Sequence, residues 1–157
     1  MFLTHLHADH TSGLADLGCD VQAVFGSGED VFIQRAMLGD HLDCRPLQQL
    51  DFSRAAAMPP FEAAIDLFGD GSIWALSTPG HTPGHVSYLV HSSGGPVLIT
   101  GDAAAYYAQL EHRIRPAPGV QDAARAARSL DALAEFAERY SNVRVAVGHE
   151  SPRFIRR

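Results

Sequence analysis

The chain has 157 residues, a length typical of one domain with its own core. Hydrophobic residues make up 46% and charged residues 19%, and no apolar run approaches the roughly 18 residues that a membrane span requires. The formal net charge of −6 disfavours a nucleic-acid partner, because a phosphate backbone would be repelled. No basic-then-apolar leader opens the sequence, so we expect a cytoplasmic protein that does not associate with membranes.

The first third of the chain predicts two strands and two helices. Alternating apolar and polar residues predict a half-buried strand over 2–7, followed by a turn and a short helix before Gly18. A second strand is predicted over 21–26. Ser27 as N-cap, with Glu29 and Asp30 in the first turn, predicts a helix over 27–38. The proline-interrupted segment 39–60 is expected to be an irregular surface connection.

The remainder of the chain is predicted to be rich in strands. The segments 61–68 and 72–78 flank a Gly-Asp-Gly turn and predict a hairpin, with Trp74 as a core residue. Segments 85–91 and 96–102 repeat this pattern, and 143–150 predicts a last strand. The longest helix is predicted over 120–140. Its apolar stripe is expected to contain Ala123, Ala127, Leu130, Ala134 and Ala137. The mixture of elements predicts an α/β or α+β fold.

The chain contains two cysteines, Cys19 and Cys44. They are too few for a disulfide framework, and neither belongs to a CxxC pair. We therefore expect both to be buried or partly buried thiols.

The opening segment HLHADH concentrates groups that bind metals. His5 and His7 are two residues apart, so a strand would project both from one face, and the following turn would bring Asp9 and His10 to the same place. Zinc and similar divalent metals take such nitrogen and oxygen ligands. A polar turn with histidines bonded to the backbone is the structural alternative, and the HxHxDH spacing disfavours it.

Further candidate ligands follow predicted strands elsewhere in the chain. His81 and His85 lie in the turn PGHTPGH, Asp102 follows the strand LITG, and His149 follows VAVG. Each stands just after an apolar strand, where a loop can hold a ligand rigidly. The histidines without such a setting are expected at the surface or outside the ligand set, and they are His41, His91 and His112.

These motifs, in this order, resemble the metal motifs of the metallo-β-lactamase-fold hydrolase superfamily, and the resemblance runs through all 157 residues. Residues 61–90 are similar to the N-acyl-homoserine-lactone lactonase branch. The resemblance implies one metallo-β-lactamase-like domain over 1–157, an αββα sandwich, and two zinc ions or another divalent transition metal. It implies that His85 is not a ligand but positions its neighbours. The implied ligands are His5, His7 and His81 for one ion, Asp9, His10 and His149 for the other, and Asp102 as a bridge.

The resemblance also implies a reaction. A hydroxide shared by two metal ions would attack the carbonyl of a small-molecule ester or lactone. Asp9 would orient that hydroxide and Asp102 would relay the proton. Lactonases of the family place a tyrosine three residues after the bridging aspartate. Here Ala105 has that place, so Tyr106 is the candidate substrate contact, and a core or surface role for Tyr106 is the alternative.

Other readings of the same motifs remain open. The superfamily includes thioesterases of the glyoxalase-II type, β-lactamase-like amidases and phosphodiesterases. A different class of outcome is a truncated remnant that binds metal without turnover.

The position of the first motif has a structural implication. In the resembled superfamily the HxHxDH turn lies near the middle of the sandwich, whereas here it begins at residue 5. We therefore expect the C-terminal half of the fold, with most of the N-terminal sheet missing. The strands over 72–102 are apolar on both faces, and one long helix covers only one of them. We expect an exposed apolar sheet face and self-association through it.

Overall fold

The computed structural model describes residues 1–32, 42, 44–115 and 120–151 of the chain. Strands and helices are mixed along these residues, so the prediction of a mixed fold is confirmed. Short 3₁₀ helices at Ser12–Asp16 and Asp102–Ala104 accompany the main elements. In chain order these elements are α1 (Ala8–Thr11), β1 (Ala23–Gly26), β2 (Leu47–Leu50), β3 (Ala64–Asp66), β4 (Ile73–Ser77), β5 (Val86–Ser92), β6 (Gly95–Gly101), α2 (Tyr107–His112), α3 (Ala123–Arg139) and β7 (Arg144–Val147).

Two sheets organise the described residues. Five strands form one sheet in the order β3-β4-β5-β6-β7, and β1 pairs with β2 in a separate parallel sheet. Strands β3 to β6 pair antiparallel, whereas β7 runs parallel to β6. Strands β4, β6 and β7 therefore point the same way. Their carboxyl ends meet at one end of the sheet, beside the start of β5.

The five-stranded sheet has a different cover on each face. Leu76 of β4 belongs to the main core, which α2 and α3 complete. The preceding residue, Ala75, points to the other face because side chains alternate along a strand. There it packs in a second cluster with Val24 of β1 and Leu50 of β2. Two sheets are thus in contact, with helices on the outer face of the larger one.

The second face of the large sheet is covered only in part. Phe68 is 61% exposed, and Phe2 and Ile99 are each 37% exposed. The Phe2 ring lies 6.1 Å from that of Phe68 and 5.9 Å from that of Tyr88. Ile99 is paired with Tyr88 across β5 and β6. We call Phe2, Phe68 and Ile99 the apolar patch.

Most predicted strands are present with slightly shifted bounds, but the first differs. Within residues 2–7 only Phe2 forms a bridge, to Val24 of β1. The segment then crosses the start of β5, where the Val86 N–H donates to the carbonyl of Thr4 at 2.8 Å. Segment 39–60 also differs from the prediction of an irregular connection, since it contains β2. The pairing of β2 with β1 stabilises this strand, and its polar local sequence does not show it.

Two helix predictions need correction. Ser27 is not an N-cap, because residues 27–28 form a turn and the chain becomes helical only at Val31; the predicted helix beyond residue 32 falls outside the described residues. On α3, Ala123 is exposed whereas Leu133 is fully buried, so the apolar stripe is displaced around the helix. Trp74 is half-buried against the main core. None of the helices in the described ranges combines the length and apolarity needed to cross a bilayer.

The expectation of two buried thiols is wrong. Cys19 and Cys44 are exposed and form a disulfide across a sequence separation of 25 residues. The next residue, Arg45, is buried, and its guanidinium donates to the carbonyl of Leu14 at 2.7 Å and to that of Leu17 at 3.3 Å. Disulfide and arginine together fasten the start of β2 to the turn that follows α1. Neither contact is visible in the local sequence.

Candidate metal centre

The N-terminal turn brings together four of the predicted ligands. His5 is fully buried, His7 and His10 are half-buried, and Asp9 is exposed. Helix α1 begins directly after His7, and the His10 N–H donates to the His7 carbonyl at 3.0 Å. This single helical turn folds the chain back, so that Asp9 and His10 approach His5. The ring centroids of His5 and His10 are 4.2 Å apart.

The remaining predicted ligands come from loops at one end of the large sheet. His81 lies between β4 and β5, Asp102 directly follows β6, and His149 follows β7. They meet because β4, β6 and β7 point the same way and β5 starts at that end. Sheet topology therefore places residues that are far apart in sequence within a few ångströms of the N-terminal turn.

The seven side chains form two groups. Within each group, the candidate ligand atoms lie within 4.8 Å of one another. In the first group, His81 Nε2 is 3.0 Å from His7 Nδ1. Asp102 connects the groups: its Oδ1 is 3.2 Å from His10 Nε2, and its Oδ2 is 3.4 Å from His81 Nε2. The first group is His5, His7 and His81, and the second is Asp9, His10, Asp102 and His149.

Three buried atoms at this centre lack hydrogen-bond partners among the described residues, and they are His5 Nε2, His10 Nε2 and Asp102 Oδ1. His10 Nε2 and Asp102 Oδ1 are 3.2 Å apart, but their geometry is not that of a hydrogen bond. Buried polar atoms without partners carry a free-energy penalty, and nitrogen and carboxylate oxygen are the donors that zinc prefers. The residues present therefore fit a divalent transition metal.

Hydroxyl groups orient the histidines from outside the groups. Thr4 Oγ1 is 3.1 Å from His5 Nδ1 and 3.4 Å from His10 Nδ1, which leaves both Nε2 atoms facing the centre. Thr78 Oγ1 is 2.9 Å from Nδ1 of the buried His85. The Asp102 N–H in turn donates to His85 Nε2 at 3.1 Å. His85 thus contacts the backbone of Asp102, and it lies outside both candidate groups.

Burial and neighbouring charges shift the pKa values at the centre. Burial, assisted by nearby imidazoles, lowers the pKa of His85 to about 3 and holds that of His5 far below 6.5. Burial also lowers the pKa of His81. For His10, burial is outweighed by Asp102, and the pKa is raised. Burial alone would raise the pKa of Asp102, but His10 and the other imidazoles hold it below its usual range.

Two glycines allow the close approach around Asp102. Gly101 has φ 52°, and a Cβ there would lie 2.8 Å from the Thr4 side chain and 2.9 Å from His85 Nε2. A Cβ at Gly148 would lie 2.4 Å from Asp102 Oδ1. The residues before Asp102 and His149 therefore need to be glycine.

Tyr106 lies at the rim of the centre. Its side chain is 52% exposed, and its ring is 6.0 Å from that of His149. Tyr107, by contrast, is buried, and its hydroxyl donates to the Val145 carbonyl at 2.6 Å. Of the two neighbouring tyrosines, only Tyr106 is thus positioned to meet a molecule that enters the centre.

The other predicted surface histidines are exposed where they are described, namely His91 and His112. His41 lies outside the described residues. Sequence reasoning missed Thr4, Thr78 and the acceptor role of Glu29, which accepts hydrogen bonds from both histidine-bearing turns. The sequence around these residues carries no signal for such roles, because each role depends on a partner from a distant segment.

Comparison with known proteins agrees with this geometry. The family model of the metallo-beta-lactamase superfamily matches residues 1–149. An N-acyl homoserine lactonase from Azorhizobium caulinodans is 31% identical over 156 residues, covering 94% of the chain and 56% of that protein. A hydroxyacylglutathione hydrolase from Acidiphilium cryptum is 37% identical over 105 residues, covering 67% of the chain and 32% of that protein. The chain spans about half the length of the lactonase.

Solved structures show the same fold. An N-acyl homoserine lactone hydrolase, solved with the product N-hexanoyl-L-homoserine at its catalytic metal centre, superposes with a TM-score of 0.70 at 21% identity. The match covers 94% of the chain and 54% of that structure. With the family model matching nearly the whole chain, and the fold and donor groups agreeing, the chain belongs to the metallo-beta-lactamase superfamily.

Proposed function

We propose that this chain is a metal-dependent hydrolase that cleaves a small-molecule ester or lactone. The observation that carries the proposal is the convergence of seven side chains that could hold metal ions. Three of their buried polar atoms have no hydrogen-bond partner in the part of the chain that the structure describes. The lactonase relative from Azorhizobium caulinodans supports the substrate class. Residues 1–157 act as one metallo-β-lactamase-like domain, which corresponds to part of the longer relatives.

Two zinc ions, or another divalent transition metal, fit the two donor groups. When bound, such ions supply Lewis acidity and make hydroxide available from water near neutral pH. His5, His7 and His81 would hold one ion. Asp9, His10 and His149 would hold the other, and Asp102 is placed to contact both.

The chain's own residues supply orientation and proton transfer. Asp9 is exposed, and its carboxylate lies 3.5 Å from His10 and 3.8 Å from His149, so it can accept a hydrogen bond from an attacking water. Asp102 carries a proton from that water to the leaving oxygen. The exposed Tyr106 hydroxyl can donate to the substrate carbonyl.

Thioester hydrolysis is a second candidate function. The hydroxyacylglutathione hydrolase from Acidiphilium cryptum covers two thirds of this chain at a higher identity than the lactonase. The same donor set would serve either reaction, because both begin with attack on a carbonyl. The residues that contact the leaving group decide between them.

The test combines metal analysis with a substrate panel. Purified protein is stripped with a chelator, reloaded with zinc, and assayed on N-acyl homoserine lactones, aryl esters and hydroxyacylglutathione. We expect about two ions per chain and hydrolysis that requires them. Asp102→Ala should lose metal and activity together, because it removes a contact from both groups. The matched control is His112→Ala, which changes an exposed histidine outside the centre.

The outcomes separate the candidates. Faster turnover of lactones or esters than of the thioester supports the first proposal, and the reverse order selects the second. Metal binding without turnover of any substrate would identify a catalytically silent metal-binding chain. Protein that takes up no transition metal after zinc addition would refute the metal centre itself.

A further inference from the structure

Glu29 is a buried carboxylate outside the seven candidate ligands. Its side chain is 7% exposed, although its place in the sequence predicts a solvent-facing acid in the first turn of a helix. The described helical residues begin at Val31, beyond Glu29. A carboxylate removed from water in this way requires hydrogen-bond donors.

Three donors to Glu29 among the described residues come from the two turns that carry histidines. Its Oε2 accepts from the Leu6 N–H at 3.1 Å, and Leu6 lies between His5 and His7. Its Oε1 accepts from the Gly84 N–H at 3.1 Å and from the Thr82 hydroxyl. Thr82 follows His81 in the chain. One carboxylate therefore joins the HLHADH turn to the PGHTPGH turn.

Backbone packing brings the second turn directly onto Glu29. A Cβ at Gly84 would lie 2.8 Å from the Glu29 nitrogen and 2.6 Å from the Gly26 carbonyl oxygen. A side chain at residue 84 would thus displace the turn from the glutamate. Glycine at this place permits the close approach of the turn to Glu29, and the hydrogen bonds to the carboxylate then orient the turn.

We propose that Glu29 is a positioning residue that sets the separation between His7 and His81. The 3.0 Å contact between His81 Nε2 and His7 Nδ1 joins residues 74 positions apart in the chain. The Leu6 N–H, next to His7, and the Thr82 hydroxyl, next to His81, both donate to Glu29. The group of His5, His7 and His81 has members directly beside both ends of this link, next to Leu6 and next to Thr82. In the other group, Asp102 is connected to the link indirectly, through His85, so the first group should depend on Glu29 more strongly. The inference rests on the proposed metal centre.

Glu29→Gln tests the link with little change of shape. Whichever way the amide is turned, its NH₂ group faces at least one of the donors and breaks that hydrogen bond. Cobalt(II) is titrated into metal-free protein, and the d–d absorption reports each binding step. We expect one of about two cobalt equivalents to bind roughly 10–100-fold more weakly, with an altered spectrum, and the other to change by less than about threefold. The exposed Glu62 provides the matched control, Glu62→Gln.

Thr82 offers a second pair of variants should Glu29→Gln not fold. Thr82→Ser keeps the hydroxyl and should retain both binding steps. Thr82→Val removes one donor to Glu29 while keeping the side-chain volume, and should weaken the same cobalt equivalent by a smaller factor. Rescue by serine and loss with valine would distinguish the hydrogen bond from simple packing.

Amide hydrogen exchange in the metal-free protein provides a readout independent of metal. In Glu29→Gln the Leu6 and Gly84 amides should exchange faster, while amides within β5 and β6 keep their protection. The positioning role would be overturned if every variant bound cobalt as tightly as the wild type. It would also be overturned if both cobalt equivalents were weakened equally. Wild-type protein that binds no cobalt would overturn the proposed function instead, and the metal role of Glu29 with it.

Discussion

Asp102 has the most connected position among the candidate ligands. Its carboxylate lies within 3.4 Å of nitrogens from His10, His81 and His149, and its N–H is held by His85. Loss of any one histidine leaves the other contacts of Asp102 in place. Loss of Asp102 separates the two groups, so this carboxylate should be the most sensitive position in the centre.

Tyr106 provides a prediction about substrate contact. Tyr106→Phe removes only the hydroxyl, so the protein should keep its full metal content. Hydrolysis of the preferred ester or lactone should fall about tenfold in kcat/KM, the effect of one lost hydrogen bond of roughly 1.4 kcal/mol. Steady-state kinetics of the zinc-loaded enzyme measure the change.

The half-exposed Tyr140 at the end of α3 is the control for this variant. Tyr140→Phe should leave kcat/KM unchanged, because its ring contacts Phe136 and lies outside the candidate centre. Equal rates for wild type and Tyr106→Phe on every substrate of the panel would assign Tyr106 to the protein surface instead.

The side chains that converge at the candidate centre could be predicted from the sequence, whereas the residues that orient them could not. HLHADH contains four candidate ligands within six residues, and this local density is itself the signal. Thr4, Thr78 and Glu29 act through bonds to segments far away in sequence, so no local pattern marks them. The sequence predicts Glu29 in the first turn of a helix, because an acid before an apolar run fits a helix start, whereas it lies before Val31 and is buried.

At the level of elements, hairpins were predictable and long-range pairings were not. The turn residues between β3 and β4 and between β5 and β6 specify those hairpins locally. Strand β2, with sequence LQQL, has no strand pattern of its own and exists because it pairs with β1. The predicted first strand is replaced by a single bridge at Phe2, because the chain must turn away to present its histidines.

The disulfide carries a prediction about the stability of the first sheet. It closes a loop with a sequence separation of 25 residues, and this loop contains β1. A double variant, Cys19→Ser with Cys44→Ser, should lose about 3 kcal/mol of the free energy of unfolding, since the unfolded chain gains freedom. Urea unfolding of the oxidised wild type and the variant measures this loss. Metal stoichiometry should stay the same, because both cysteines lie outside the donor groups.

Reduction of the wild type provides the matching control, since it should reproduce the stability of the double variant. A variant as stable as the oxidised protein would contradict the role of the disulfide. The result also bears on the location expected from the sequence. A cytoplasmic chain would carry these cysteines as thiols, because that compartment keeps exposed disulfides reduced.

For the molecule as a whole, the buried histidines predict how stability depends on pH. The pKa values of His5, His81 and His85 are lowered from 6.5. Below about pH 6.5 these histidines are therefore protonated in the unfolded chain but stay neutral in the folded metal-free protein. Their stabilising contribution is complete above about pH 6.5 and is lost progressively as the pH falls from there towards the folded values. His10, with a raised pKa, acts in the opposite sense, but it is one group against three.

Metal-free protein should therefore unfold at a lower urea concentration at about pH 5.5 than at about pH 7.5. The free energy of unfolding should fall by on the order of 1 kcal/mol for each deeply buried histidine. Asp102 should not contribute between these values, because its lowered pKa keeps it ionised throughout. His112→Gln, at an exposed site, should show the same pH dependence as the wild type. A midpoint that is constant or rises on acidification would contradict the assignment of neutral buried histidines.

The apolar patch predicts self-association. Phe2, Phe68 and Ile99 leave a substantial part of their rings and chains in contact with water, on the face that β1 and β2 cover only in part. We expect the apparent mass in size-exclusion chromatography with light scattering to rise with protein concentration. Phe68→Ser with Ile99→Thr should reduce this rise. The half-exposed Ile114 lies outside the patch, and Ile114→Thr is the control. A constant monomer mass at all concentrations would refute the expectation.

The spread of the centre along the chain, from His5 to His149, has a kinetic consequence. Each donor group combines residues from the first turn with residues that follow β4, β6 or β7, so neither group can form until these distant segments meet. Because long-range contacts form late and slowly, we expect metal to contribute little to the transition state for folding. Added zinc should leave the refolding limb of a chevron plot unchanged and slow only the unfolding limb. The ion would thus stabilise the native state by slowing its unfolding, without speeding its formation.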